Sequence, residues 1–134
     1  MQLPLVSCPA SFLASCLVFA GAGSAFAQVT TLQEYAVPQD RGPQQVVVQV
    51  RDFAPGEVAP WHIHHGVEIA RLESGEMELI TAQGTVRLVA GESFQMPAGQ
   101  PHSGRNPGTG VARLVITLVV DRDAPLRELV ADPH

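Results

Sequence analysis

A chain of 134 residues has the length of one domain and leaves little room for two. Its net charge is −5, and its 8 basic residues, all Arg, form no cluster, which argues against a nucleic-acid partner. The absence of lysine excludes Schiff-base chemistry on a lysine side chain.

Charge is unevenly placed. Residues 1–27 contain no Asp, Glu, Lys or Arg, and all 13 acidic and 8 basic residues follow them. Within this leader, Ser11–Ala20 has the apolar character of a secretory signal's hydrophobic region, and a small-residue run, Gly21–Ala27, comes next. Ala25 and Ala27 stand in the A-x-A arrangement that signal peptidase requires, because only small side chains fit its subsites. Cleavage is expected between Ala27 and Gln28, giving a periplasmic or secreted protein with no stable membrane span. The missing N-terminal Lys or Arg departs from the usual signal and keeps a core helix or an uncleaved anchor as alternatives. Leu13-Ala14-Ser15-Cys16 also resembles a lipoprotein box, although apolar residues continue past Cys16. Cys8 and Cys16 both fall inside the leader, so the mature chain would have no disulfide, thiolate nucleophile or cysteine-ligated metal.

Gln28–Pro43 is polar, carries Pro38 and Gly42-Pro43, and reads as an N-terminal arm. Short β-rich runs follow at Gln45–Phe53, Ala59–His64, Glu68–Glu73, Met77–Thr81, Val86–Val89, Ser93–Met96 and Val111–Val120. Turn chemistry separates them at Ala54-Pro55-Gly56, Gln83-Gly84, Ala90-Gly91-Glu92, Pro97-Ala98-Gly99 and Asn106–Gly110. This rhythm predicts an all-β sandwich or barrel over residues 44–120 rather than parallel βαβ units. Met77 and Leu79 alternate with Glu76 and Glu78, so one face is buried and the other wet. Val111–Val120 is nearly continuous apolar sequence, as expected of a strand covered on both sides. Residues 121–134 read as a C-terminal tail, in which Leu126–Val130 is the place for a short helix. A closed or double-sheet barrel suits these strands and removes exposed edges.

Chemistry concentrates at Trp61-His62-Ile63-His64-His65 and at Pro101-His102. His62 and His64 are two apart, so on a strand they point to the same face. His65-Gly66-Val67 has the length of a three-residue hairpin loop, with Gly66 free to take positive φ. Such a hairpin would set Glu68 opposite His64 on the neighbouring strand. Two imidazoles and a carboxylate would then meet at one point, and His102 is the remaining inward candidate for a fourth ligand. His65 is expected at an exposed turn, His134 at a disordered terminus, and Trp61 in packing. Ser103 beside His102 makes a Ser-His pair only superficially, because neighbouring strand residues face opposite ways.

These residues resemble the cupin superfamily. Gly56, His62, His64, Glu68 and Gly75 match its first motif, G-x5-H-x-H-x3-E-x6-G. Gly91, Pro97, Gly99, His102 and Asn106 match its second, G-x5-P-x-G-x2-H-x3-N. The separation between them, Glu76–Ala90, is the short one of compact cupins. The resemblance implies a small jelly-roll-type β-barrel with one divalent transition metal ion held by His62, His64, Glu68 and His102. Mn, Fe, Ni, Cu and Zn all suit that ligand set. Asn106 reads as a backbone tether, and the four motif glycines as turn positions.

Two function classes follow. One is a metalloenzyme of dioxygenase or lyase type acting on a small molecule, with Glu68 able to serve as a catalytic base. The other is a non-catalytic exported protein that binds metal or a small ligand. A dioxygenase of the cysteine type is disfavoured, since no Cys follows the leader and the single Tyr, Tyr35, lies in the arm. Phe94, Met96, Met77, Ile116 and Leu118 are candidates for an apolar pocket wall or simply for barrel core. Arg51, Arg71 and Arg113 could hold an anionic substrate only if one faces inward. The resemblance to cupins further implies pairing through strands of two barrels, a homodimer, with Gln28–Pro43 as a candidate exchange arm.

Overall fold

The computed structural model describes residues 30–37 and 40–134, so the expected signal segment lies outside the described residues. Nine strands form among them: β1 (Gln44–Phe53), β2 (His62–Ile63), β3 (Gly66–Ser74), β4 (Glu76–Thr81), β5 (Gly84–Val89), β6 (Ser93–Met96), β7 (His102–Arg105), β8 (Ala112–Asp121) and β9 (Glu128–Leu129). Every strand pairing is antiparallel. One sheet has the order β1-β8-β3-β6 and the other β5-β4-β7-β2-β9. The expectation of an all-β, jelly-roll-type barrel is met, and no helix forms among the described residues.

The core lies between the two sheets. Phe53, Ala70, Leu72, Leu114, Ile116, Leu118 and Val120 come from the first sheet and meet Met77 and Leu88 from the second. Each is nearly or wholly removed from water, and burying each of them larger than Ala70 contributes about 1.5–3 kcal/mol. Period-two patterning directs them: on β8, Ala112, Leu114, Ile116, Leu118 and Val120 all point inward.

Three local expectations are corrected. The apolar run Val111–Val120 does not make a strand covered on both faces. Val115, Thr117 and Val119 on β8 are only half-buried, and Arg113 is exposed. β8 is central in its sheet, so its backbone is fully paired. Its outer face meets only partial cover, for Leu32 and Gln33 share a shallow cavity there with Ile69, Val115 and Thr117. β-branched side chains tolerate such a half-covered pleat.

The second correction concerns His65-Gly66-Val67, which does not close a hairpin. β2 belongs to one sheet and β3 to the other, so the chain crosses between sheets at this point. Gly66 is absent from the positive-φ positions; its need for glycine comes from close approach, because a β-carbon there would lie 2.0 Å from Val119 O. The four motif glycines behave as expected, with φ of 76°, 81°, 95° and 72° at Gly56, Gly75, Gly91 and Gly99.

Third, Leu126–Val130 is not helical. Glu128 and Leu129 form β9, which pairs with β2 through His62 and Ile63. The free edge of β2 offers hydrogen-bond partners that an isolated turn of helix after Pro125 would lack, and Val130 N donates to Trp61 O at 3.0 Å. His134, expected to be disordered, packs its ring edge-on to Trp61 with centroids 5.7 Å apart.

Asn106 tethers backbone as its motif position suggests. Its Nδ2 donates to Phe53 O and Gly110 O, its Oδ1 accepts from Gly108 N, and the residue is fully buried. Arg41 does the same at the other end of the barrel, where it pairs with Asp121 at 2.8 Å and donates to His65 O at the sheet crossover.

Candidate metal centre

The four expected ligands converge. His62 and His102 are direct cross-strand partners on β2 and β7, with ring centroids 4.2 Å apart. His64 follows two residues after His62 on the same face, its ring 5.0 Å from that of His62. Glu68 reaches the three rings from β3 in the facing sheet. Its Oε2 lies 3.0 Å from His102 Nε2 and 3.2 Å from His64 Nε2. Glu68 thus meets His64 as expected, but across the barrel interior rather than across a hairpin. All four residues are buried.

Backbone carbonyls fix the orientation of each ring. His62 Nδ1 donates to Pro60 O at 2.7 Å, His102 Nδ1 to Gln100 O at 3.0 Å, and His64 Nδ1 to Leu126 O. With Nδ1 committed as a donor, a neutral ring carries its lone pair on Nε2 and can ligate a metal there, whereas the Nε2 bonds of His64 and His102 to Glu68 in the metal-free site need a proton on that atom. Such outer hydrogen bonds to a ring's far nitrogen orient metal-ligating histidines and raise their basicity.

Electrostatics agree with this reading. Burial, reinforced by the fields of His102 and His64, pushes His62 down to about 4, so it stays neutral at physiological pH. Burial alone would raise the Glu68 carboxyl, yet hydrogen bonds from His102 and His64 outweigh it and hold the group at about 2. His64 is opposed by burial too, but its bonds to Glu68 and to Leu126 O raise it overall.

The donor set fits a divalent transition metal. One ligand atom from each residue lies within 4.8 Å of all the others. An ion bound at about 2.0–2.2 Å holds opposed donors about 4.4 Å apart at most, so shifts of a few tenths of an ångström close the set. Three neutral nitrogens and one carboxylate suit mid- to late-row ions and leave positions open in five- or six-coordinate geometry.

The cluster forms one wall of a cavity of about 270 Å³. Met77, Phe94, Ile116 and Leu118 line it as expected, together with Phe53 and Leu79, whereas Met96 is buried but does not line it. Of the three candidate arginines, only Arg51 reaches this cavity, where it pairs with Glu57 and stacks over Phe53 at 4.5 Å. Arg113 is held on the surface by Asp52, and Arg71 borders the shallow outer cavity. Ser103 Oγ donates to Ala59 O at 2.7 Å, which spends the hydroxyl and removes any Ser-His pair. His65 is half-buried and bonds Glu128 Oε2 at 2.7 Å.

Sequence reasoning missed Leu126 and Arg127, which line the cavity from the segment leading into β9. Leu126 acts through its main-chain carbonyl, which no side-chain pattern encodes. Nor does the order Leu126-Arg127-Glu128-Leu129, with its two charged residues together, carry the period-two signal of a strand.

A family model for the cupin domain matches residues 49–120. The polyketide cyclase RemF from Streptomyces resistomycificus is a structural neighbour at 23% identity and a TM-score of 0.56, covering 69% of this chain and 66% of that one. An oxalate oxidase matches at 30% identity and a TM-score of 0.50, covering 55% of this chain and 41% of its own. The DMSP lyase DddQ from Ruegeria pomeroyi matches at 23% identity and 0.58, covering 63% and 43%. The chain thus spans only part of each of these proteins. No curated protein sequence matches it.

Proposed function

The chain belongs to the cupin family, and we propose that it is an exported metalloenzyme of dioxygenase or lyase type that acts on a small molecule. In this reading His62, His64, Glu68 and His102 hold one divalent transition metal. The observation that carries it is the trio of buried imidazoles at a cavity wall, each with Nδ1 tied to a carbonyl, two of them with Nε2 against the one carboxylate, Glu68. When bound, the metal would supply Lewis-acid polarisation of a substrate oxygen or a redox centre toward dioxygen.

The chain's own residues would do the rest. The three rings would hold the ion at the cavity wall, and the largely apolar lining would limit bulk water at the reacting atoms. Glu68, held at about 2, is a weak base while His64 and His102 bond it. A base role for Glu68 therefore requires it to leave those partners during the reaction. The open cavity supports turnover over simple sequestration, since a storage site needs no room beside its ion. Neighbours whose names describe a cyclase, an oxidase and a lyase add support for enzymatic chemistry on small molecules.

Export rests on the uncharged leader and the Ala25–Ala27 cleavage pattern. Pairing of two copies is supported by β1, an edge strand that exposes Val46, Val48 and Val50 on its outer face. The N-terminal arm bears on how copies would pair, because Leu32 and Gln33 lie over the outer face of their own barrel.

Elemental analysis of protein purified from the host envelope without chelators tests the metal, followed by substrate profiling with oxygen consumption. Stoichiometric metal with turnover is the expected result. Protein free of transition metal would overturn the reading, and metal without turnover on any substrate class would leave a binding protein. Mass analysis of the mature N-terminus checks cleavage after Ala27, and light scattering checks for a dimer.

A further inference from the structure

Four acidic or basic side chains line the cavity beside the histidines, and all but one are matched. Arg51 is neutralised by Glu57. Glu78 lines the cavity but is bonded by Arg105, at 2.6 Å. Glu68 is engaged by His64 and His102. Arg127 lines the same cavity and forms no salt bridge among the described residues. Its position is set by its neighbour, because Leu126 O accepts from His64 Nδ1 and so draws the segment against the ligand cluster. The proximity is electrostatic as well as geometric, for the Arg127 charge acts on the His64 ring.

A lone cation beside an apolar chamber focuses the field there, although the chain as a whole carries a charge of −5. Apart from Gln49 and Ser103, the remaining wall is mostly hydrocarbon, from residues such as Phe53, Met77, Leu79, Phe94 and Ile116. At about 270 Å³ the chamber falls just below the range for drug-sized ligands. A guanidinium presents two parallel N–H donors that match the two oxygens of a carboxylate. A phosphate ester would bring a second negative charge with no free cation to meet it, and Glu78 close by.

We propose that the substrate is a small monocarboxylate with an apolar body, and that Arg127 is the residue that selects its carboxylate. This rests on the enzymatic reading of the same cavity and names its substrate class. Arg127 would hold the carboxylate at the rim while the apolar body lies along the chamber beside the ligand cluster. Because Arg127 is exposed and belongs to no core contact, its replacement leaves the barrel intact.

The test is calorimetric binding of benzoate and of its neutral isostere benzamide to the full protein, metal-loaded and after chelator treatment. Wild type is expected to bind benzoate about tenfold or more tightly than benzamide. Arg127→Gln is expected to abolish that preference while leaving benzamide binding unchanged, and Arg127→Lys to restore part of it. The preference is expected to persist without metal, since the guanidinium and not the ion holds the carboxylate. Equal binding of the two probes, no benzoate binding below millimolar concentrations, an undiminished preference in Arg127→Gln, or its loss on metal removal would each overturn the proposal. Metal content of the same samples is read separately. A metal-free native protein therefore sinks the enzymatic reading while the benzoate comparison still decides the role of Arg127.

Discussion

Glu68 Oε2 sits 3.0 Å from His102 Nε2, and the two residues face each other from opposite sheets. Among the four clustered residues Glu68 is the one anion and the one contribution from the β1-β8-β3-β6 sheet. Glu68→Gln keeps the shape but removes the charge. It is expected to weaken metal binding by about a hundredfold, near 2.7 kcal/mol. In the metal-free protein the same change weakens two charge-assisted hydrogen bonds, and should cost about 1.5–3 kcal/mol of stability at neutral pH. Competition with a chelating dye measures the first and urea unfolding the second. Full activity in both Glu68→Gln and Glu68→Ala would remove any base role for this residue.

The buried cluster also sets a pH dependence. His62 is lowered from 6.5 to about 4, chiefly by burial, so between those values the unfolded chain binds a proton that the fold refuses. Metal-free protein should therefore lose stability as pH falls through that window, by up to about 1.4 kcal/mol per pH unit. Glu68, lowered from 4.5 to about 2, adds a further loss from pH 4.5 downward. His64 is raised and works in the opposite sense: its contribution is whole below 6.5 and fades as pH rises through its folded value. The expected maximum lies near pH 6.5. Urea midpoints between pH 4.5 and 8 measure it, and His62→Gln should flatten the acid limb. An unchanged acid limb in that variant would show that another group takes the proton.

The ligand set was legible because it is written in side chains at short spacings. His62 and His64 share a face by strand parity, and the ten motif positions place Glu68 and His102 with them. What parity could not say was which sheet β3 would join. A hairpin and a sheet crossover need the same few residues at His65-Gly66-Val67, and the choice falls to tertiary pairing with β8. The same applies to β9. Two exposed residues have no periodicity to read, and their strand exists because β2 has an edge to fill. The half-covered face of β8 was likewise hidden, since valine suits both a buried and a half-buried pleat.

The segment into β9 offers a separate check on ring orientation. Leu129 is largely exposed and neither it nor Leu126 belongs to the hydrophobic core, so the barrel core does not depend on them. Its carbonyl at Leu126, however, is the partner of His64 Nδ1. Truncation after Ala124 should keep the β-sheet circular dichroism and lower metal affinity by about 10- to 100-fold, as expected when an outer hydrogen bond to a ligating histidine is lost. Glu128→Gln breaks only the His65 contact on the surface, and should change affinity little. Native affinity in the truncated protein would show that His64 is oriented without Leu126.

Gly66 provides the sharpest test of the crossover. A β-carbon there would lie 2.0 Å from Val119 O and 2.5 Å from Val120 Cα, both backbone atoms of the central strand β8. Neither can turn away as a side chain would, so β3 must move off β8. Overpacking of this kind costs about 1–3 kcal/mol or more. The displacement also carries Glu68, two residues further on, away from the histidines. Gly66→Ala should therefore lose stability and metal affinity together. Gly99→Ala is the matched control: that glycine has φ of 72° with nothing within 4 Å of an added β-carbon, so only backbone strain of about 1 kcal/mol is expected. Chemical unfolding and metal competition on the two variants compare these costs. A Gly66→Ala protein as stable and as well metallated as Gly99→Ala would mean that β3 can shift without disturbing Glu68.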